Sequence, residues 1–404
     1  MEEMALDRGA TGKLRRSFME NKETKELLSM SAPDLDDSDI QEVLAVLRSG
    51  RLALGPKTEE FEEVMGTYLG VRHAIAVSSG TAGLHLLVRA LGLGPGDEVL
   101  VPSFTFVASV NALLYEGITP VFVDIEPETY TIDPQEMVKK ITPRTKAMMV
   151  VDVFGHPAEW DAITTIAREH NLKIIDDSCE ALGAEYKGRK LGQFGDGAVF
   201  AFYPNKQITT GEGGMVVTND EKLATLLRSL RNQGRGEMGA WLRHEHLGYN
   251  YRMDELSAAL GVSQMRKIES LLTKRAQVAQ WYTERLSSFS WLRTQVVKPY
   301  VRMSWFVYVI TLARGFCRDE VIQNLHTLGI PARGYFSPVH LQPYMQKRFG
   351  FRRGELPLTE DIAQRTIALP FHNNLRLEEI ETVVAGLQES IEKGKENDHH
   401  KTIH

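Results

Sequence analysis

KIIDDSCEALGA, residues 173–184, and FAFYPNKQITTGEGG, residues 200–214, each run a short apolar segment into a loop of small and polar residues. In the first, Asp176 and Asp177 end the apolar run; in the second, Lys206 follows it among Pro, Thr and Gly. Working outward, similar runs recur as HAIAVSS (73–79), EVLVPS (98–103), TPVFVDI (119–125), KAMMVVDV (146–153), GAVFAFY (197–203) and GGMVVT (213–218). With KIIDDS they make seven, and their length and wealth of Val, Ile and Phe predict buried strands. TAGLHLLVRALGL, FVASVNALLYEG and DAITTIAREHNL lie between the earlier ones at helical spacing. Strand alternating with helix is the sequence form of an α/β fold with a mainly parallel sheet, whose ligands sit where strands end.

Beyond this region the text becomes helical. DLDDSDIQEVLAVLRSG (34–50) offers Asp caps, helical spacing and a Gly stop, and Asp254 to about Ser288 reads as long helix. A strand-like SWFVYVITL and the helical segments RDEVIQNLHTLGI and LEEIETVVAGLQESIEKG follow. The expected organisation is a loosely held arm over 1–30, a large domain over 31–289, a smaller α+β domain over 290–393 and a polar tail over 394–404. At 404 residues the chain exceeds the roughly 100–200 of one ordinary domain. With 47 Lys and Arg against 53 Asp and Glu, no basic excess calls for nucleic acid. No run of about 18 apolar residues predicts a membrane span, and MEEMALDRGATGKLRR lacks the apolar centre of a signal peptide. Cys179 and Cys317 show no paired spacing, so neither a disulfide framework nor a metal site is expected, and a reducing cytoplasm fits.

Three features carry chemistry. SSGTAGLHLLVRAL (78–91) passes from strand through small residues into helix, a junction whose free amides can hold a phosphate. Lys206 at a strand end could attack a carbonyl once desolvated, and an acid on a neighbouring strand could pair with a protonated pyridine nitrogen. Each has a plain alternative, a tight turn or a surface cation. Phosphate cradle, acidic strand end and loop lysine, in that order along the chain, are the three parts needed to hold pyridoxal 5'-phosphate.

The chain resembles the nucleotide-sugar aminotransferases of the DegT type, within the fold-type I pyridoxal phosphate-dependent enzymes. SGTAGLHL, GPGDEVLVPSFTFVASVNA, IIDDSCEALGAEYKGRKLGQFGD, FYPNKQITTGEGGMVVTND, LGYNYRMDELSAALG and GIPARGYFSPVHLQPY carry the resemblance, in order, over roughly residues 30–390. It implies a large domain with a mixed, mainly parallel seven-stranded sheet flanked by helices, plus a smaller C-terminal domain. It also implies Lys206 as the Schiff-base lysine and proton shuttle, and Asp177, not Asp176, as partner of the ring nitrogen. Gly80, Thr81 and Ala82 match the phosphate turn, with the amides of Thr81 and Ala82 as donors, and Phe106 matches the aromatic over the ring. Asn250 matches an asparagine that reaches the cofactor of the neighbouring subunit, which implies a homodimer with shared active sites. Tyr335 and His340 match positions near the incoming sugar, with a structural role at the turn after Pro338 the equal alternative for His340, and Arg252 and Arg333 are cations open to a phosphate or carboxylate or to a surface ion pair. Two positions depart from the pattern: Ala201 stands where many members have Ser on the phosphate, and Glu180 where Gln often approaches the phenolic oxygen.

The reaction implied is ping-pong transfer of an amino group from an amino acid, with glutamate the donor suggested, to the keto sugar of a nucleotide-linked sugar. An aminocyclitol ketone as acceptor, or a cofactor-binding regulator without turnover, are the alternatives. Sugar dehydratases of the same fold carry His at the lysine position, so Lys206 argues against them. No GxGxxG follows the first strand, which counts against a dinucleotide site.

Overall fold

All seven apolar runs pair into one sheet. β1 (His73–Val77), β2 (Glu98–Pro102), β3 (Thr119–Val123), β4 (Thr145–Val151) and β5 (Lys173–Asp177) are followed by a small hairpin, β6 (Glu185–Tyr186) and β7 (Arg189–Lys190), then by β8 (Gly197–Ala201) and β9 (Gly214–Thr218). The order across the sheet is β1-β9-β8-β5-β4-β2-β3. β8, β5, β4, β2 and β3 run parallel, whereas β9 is antiparallel to both β8 and β1. The fold is therefore α/β with a mixed, mainly parallel seven-stranded sheet flanked by helices. A computed structural model of the chain describes residues 28–236 and 243–401, with the backbone alone for 394–401.

Alternation along the strands divides the core into two layers. Ile75, Val77, Val99, Val101, Met149 and Val199 face the helices Gly80–Ala90, Val107–Tyr115 and Glu221–Arg231. On the opposite face, Phe200, Met215 and Val217 pack with the helices Pro56–Leu69 and Glu255–Arg266, and Met148, Val150 and Ile174 with Trp160–His170. The predicted first helix is observed over Asp37–Ser49, with Asp36 in a capping box and Gly50 closing it at φ +70°.

A second sheet, β10 (Leu292–Thr294), β12 (Tyr308–Leu312) and β13 (Thr366–Leu369), packs on the helices Ile268–Leu286, Arg318–Thr327 and Leu377–Lys401 around its own apolar cluster. β11 (Val301–Arg302) joins the β6–β7 hairpin instead. The last helix runs to Lys401, past the residue 394 at which the sequence reading ended it. Most of the expected N-terminal arm, residues 1–27, lies outside the described residues. Its described end is anchored: Leu28 packs on the second cluster's edge, and the Met30 carbonyl accepts from Phe371 N at 3.0 Å. Among the described residues no helix is long and apolar enough to cross a membrane.

The pleat at the end of β5 separates two adjacent acids. Asp177 turns toward the helix Val107–Tyr115, where its Oδ2 accepts from Ser109 Oγ at 2.7 Å. Asp176 turns to the opposite face and meets Asp152, both with no exposed surface. Asp152 Oδ1 accepts from Ala158 N at 2.7 Å and Trp160 Nε1 at 3.2 Å. Ser178 Oγ lies 2.9 Å from Asp152 Oδ2 and 2.7 Å from Asp176 Oδ1. One hydroxyl carries one proton and cannot donate to both carboxylates, so a proton on the pair completes the count. Burial pushes Asp152 up to about 6. Burial and the charge of Asp152 push Asp176 well above the usual carboxylate range. Asp152 accepts from two N–H donors and Asp176 from one, Gly192 N at 3.3 Å, so Asp152 is the more readily ionised member and Asp176 the one that keeps the proton.

This assignment has a pH signature. Groups whose folded pKa is raised contribute stability that is fully present below their unfolded value near 3.8 and lost as pH rises through about 6 and beyond. Asp176→Asn replaces the O–H donor with N–H and cannot ionise. Its unfolding free energy relative to wild type is expected to rise between pH 5 and pH 8 by at least about 1 kcal/mol, on the order of one pKa unit. Denaturant unfolding at both pH values checks it, and parallel pH dependences would refute the shared proton.

Candidate active site

A cavity of about 560 Å³ opens where β5 and β8 end, with Gly80, Thr81, Phe106, Asp177, Glu180 and Lys206 in its wall. Asp177 is buried at its floor, with Oδ2 on Ser109 Oγ and Oδ1 accepting from Cys179 N at 3.2 Å. Lys206 sits in the turn after β8, its amide donating to Tyr203 O at 2.9 Å. Its Nζ lies 3.7 Å from Glu180 Oε1 and 3.8 Å from the centroid of the Phe306 ring. Phe106 precedes the helix Val107–Tyr115 and leaves 58% of its surface exposed at the cavity.

The helix Gly80–Ala90 points its N-terminus at the same space. Ser79 caps it, its Oγ accepting from Ala82 N at 3.1 Å. The sequence reading assigned the amides of Thr81 and Ala82 to a phosphate. Ala82 is already satisfied, and the amides left without an acceptor among the described residues are those of Gly80 and Thr81. Gly80 is glycine because of crowding: a Cβ there would meet Ala201 Cβ at 2.7 Å and Cys179 Sγ at 3.0 Å. Ala201 thus lies against the phosphate turn, where its methyl offers no hydrogen bond.

Burial sets the electrostatics of the groups at the cavity floor. Burial raises Glu180, while the Lys206 ammonium and the Phe154 amide, 2.8 Å from Oε2, act against the rise. Burial pushes the Cys179 thiol well up, so it stays protonated and serves as packing against Gly80. Tyr335 lines the cavity, and burial raises its hydroxyl. Arg333 stands at the rim, while Arg252 is turned away, donating to Asn232 Oδ1 at 2.9 Å.

His340 does not belong to this wall. It has no exposed surface, and its ring is held between Ser103 Oγ at 2.7 Å and Glu360 Oε1 at 3.2 Å, so it ties two segments together as a core histidine. Asn250 is also outside this chain's cavity, exposed on a segment bridged to Asn232. Three contributors escaped the sequence reading. Ser109 stands one helical turn after Phe106, a spacing that could have flagged it. Asn205 has a buried Oδ1 without a partner in the cavity wall. Phe306 arrives from a distant segment and has no local signal.

The cavity fits pyridoxal phosphate. Two free amides at a helix N-terminus suit its phosphate, the bare face of Phe106 its ring, Asp177 its ring nitrogen and Lys206 its aldehyde. The sequence model of the DegT/DnrJ/EryC1/StrS aminotransferase family matches residues 33–388. The GDP-perosamine synthase of Caulobacter vibrioides is 40% identical over 372 residues, covering 90% of this chain and 98% of the relative. The structure of PseC from Helicobacter pylori, an aminotransferase involved in the biosynthesis of pseudoaminic acid, superposes with a TM-score of 0.87 at 32% identity, over 91% of this chain and 100% of that one. The PLP-form of the putative sugar aminotransferase Spr1654 from Streptococcus pneumoniae superposes with a TM-score of 0.85 at 29% identity, over 90% and 98%.

Ala201→Ser places a hydroxyl beside the phosphate turn. A hydrogen bond to a charged group contributes about 1.5–3 kcal/mol, so the Kd for pyridoxal phosphate is expected to fall about tenfold or more. Absorbance titration of the cofactor-free protein measures it, and an unchanged Kd would show that Ala201 does not face the phosphate.

Proposed function

The chain belongs to the DegT/DnrJ/EryC1/StrS aminotransferase family, whose members depend on pyridoxal phosphate, and from that premise we propose that it moves an amino group from glutamate to the keto carbon of a nucleotide-linked sugar. The observation that carries the reading is the convergence of Lys206, Asp177 and the N-terminus of the helix Gly80–Ala90 on one cavity. The Caulobacter relative, a GDP-perosamine synthase, favours a guanosine diphosphate sugar as acceptor.

When bound, pyridoxal phosphate supplies an aldehyde that condenses with amines and a ring that takes up the electron pair of a departing α-proton. Lys206 Nζ is the amine that would hold the bound aldehyde, and once free it would take up and return the donor's α-proton as general base and acid. The Phe306 face, 3.8 Å from Nζ, receives the amine when it bears that proton. Asp177, aligned by Ser109 Oγ and Cys179 N, keeps a proton on the ring nitrogen. The amides of Gly80 and Thr81 would hold the phosphate, and Phe106 would exclude water from one ring face. Burial raises Glu180 against the pull of Lys206 and the Phe154 amide, which lessens the repulsion of two anions where it would face the phenolic oxygen. Arg333 at the rim is the cation available to a carboxylate or phosphate.

The order would be ping-pong: the bound cofactor would keep the donor's nitrogen while the keto acid leaves and before the sugar enters, and Lys206 would then move the proton in the opposite sense. Asn250, outside its own cavity, and the segment 243–251 around it serve the site of a second copy, in a cytoplasmic homodimer with two shared sites. Tyr335 stands on the sugar side.

With pyridoxal phosphate, glutamate and a guanosine diphosphate-linked keto sugar, the protein is expected to form an aminated nucleotide sugar and 2-oxoglutarate one for one, followed by mass spectrometry. Lys206→Ala is expected to slow this by more than about 10²-fold, the contribution of a positioned acid–base group. Asp177→Asn is expected to cost about 10²-fold, as loss of an aligned charge does. Undiminished turnover in Lys206→Ala would remove the lysine from the mechanism.

A further inference from the structure

Arg275 lies on the helix Ile268–Leu286 with 2% of its surface exposed. All five of its N–H groups find acceptors, and every acceptor is neutral. Nε donates to Trp305 O at 2.6 Å, and Nη2 to Phe306 O at 2.7 Å and Asn205 O at 3.4 Å. Nη1 donates to Asn373 Oδ1 at 2.9 Å and Lys206 O at 3.5 Å. Among the described residues no carboxylate contacts the guanidinium. Asp34 makes no direct contact with it: its charge acts at longer range, the Asn373 amide stands between them with Nδ2 donating to Asp34 Oδ2 at 3.3 Å, and Asp34 is itself paired with Lys274 at 2.8 Å. Burial lowers Arg275 to about 10, so it remains a cation at neutral pH.

A buried charge without a counter-ion is costly unless its donors are all used. Here they are used on two segments that meet at the cavity. The carbonyls of 205 and 206 belong to the turn that carries Lys206, and those of 305 and 306 to the segment that brings the Phe306 ring to within 3.8 Å of Nζ. The planar fork joins the carbonyls of both segments to one rigid group, which a lysine, with three donors on a flexible stem, cannot do. A catalytic amine misplaced by about 1 Å loses on the order of 10²-fold in rate.

We propose that Arg275 is a positioning residue for the reaction: its guanidinium locks the backbone of Lys206 to that of Phe306, setting where the amine stands and where it rests with its proton. This rests on the reading of Lys206 as the amine that bonds to the cofactor.

The test is Arg275→Lys, which keeps the charge and removes the fork. In the cofactor-free protein, amide hydrogen exchange over 203–208 and 304–307 is expected to accelerate at least tenfold, with β4, β5 and β8 protected as in wild type. With pyridoxal phosphate and glutamate, kcat of the first half-reaction is expected to fall about 10- to 100-fold while KM for glutamate stays within about threefold. Wild-type exchange in both segments, or wild-type kcat, would overturn the proposal, as would a rise in KM alone. Should Arg275→Lys fail to fold, Asn373→Ala removes one acceptor of the clamp and is expected to show the same two-segment acceleration; its absence counts against the proposal equally. A wild-type protein that takes up no pyridoxal phosphate would sink the reading of Lys206, and the exchange result alone would then uphold or overturn the clamp.

Discussion

Three parallel strands that end in step are the constraint on which the rest of the site depends. β4, β5 and β8 pair so that Asp177 stands beside Val151 on one side and Val199 on the other. A shift of one residue in β5 would exchange Asp177 for Asp176 at the cavity and turn the other acid into the core, since side chains alternate with a period of two. The register is held from both faces. Ile175 and Val199 pack under the helices Gly80–Ala90 and Val107–Tyr115, while Ile174 packs with Trp160 on the other side. The same helices that cover the sheet then supply the cavity's remaining parts: the free amides of Gly80 and Thr81, the Phe106 ring and the Ser109 hydroxyl that aligns Asp177.

The two faces of β5 solve opposite electrostatic problems. On the core face, Asp176 and Asp152 are fully buried, and a proton between them removes one of two charges that the interior would otherwise have to hold. On the cavity face, Asp177 keeps hydrogen-bond donors on both oxygens, an arrangement suited to an ionised carboxylate facing a cation. Glu180 lies between these cases, burial favouring its neutral form and Lys206, 3.7 Å away, its charged one. Burial makes each of these interactions stronger than it would be in solvent.

Much of this was legible in the sequence, because it is carried by local pattern. The seven apolar runs, the caps of the first helix, the acid pair at the end of KIIDD and the lysine after GAVFAFY are all readable within a dozen residues. The strand order was not, since nothing local says that β9 turns back between β1 and β8. His340 stayed open between a sugar contact and a structural role for a related reason: a Pro-Val-His turn looks the same whether its imidazole faces a cavity or, as here, bridges Ser103 and Glu360 in the core. Phe306 and Arg275 were invisible because they reach Lys206 across 100 and 69 residues of chain, by contacts that only the folded backbone creates. The amide of Ala82 was assigned to a phosphate because a sequence shows a helix start but not which of its donors the cap has already taken.

The central claim is that Lys206, among the lysines of the chain, is the amine that binds the cofactor covalently. Incubation with pyridoxal phosphate, reduction with borohydride and peptide mapping by mass spectrometry tests it most directly. The account predicts a pyridoxyl group on Lys206 at one per chain and on no other lysine. Reduction that labels surface lysines without preference, or leaves Lys206 free, would contradict it.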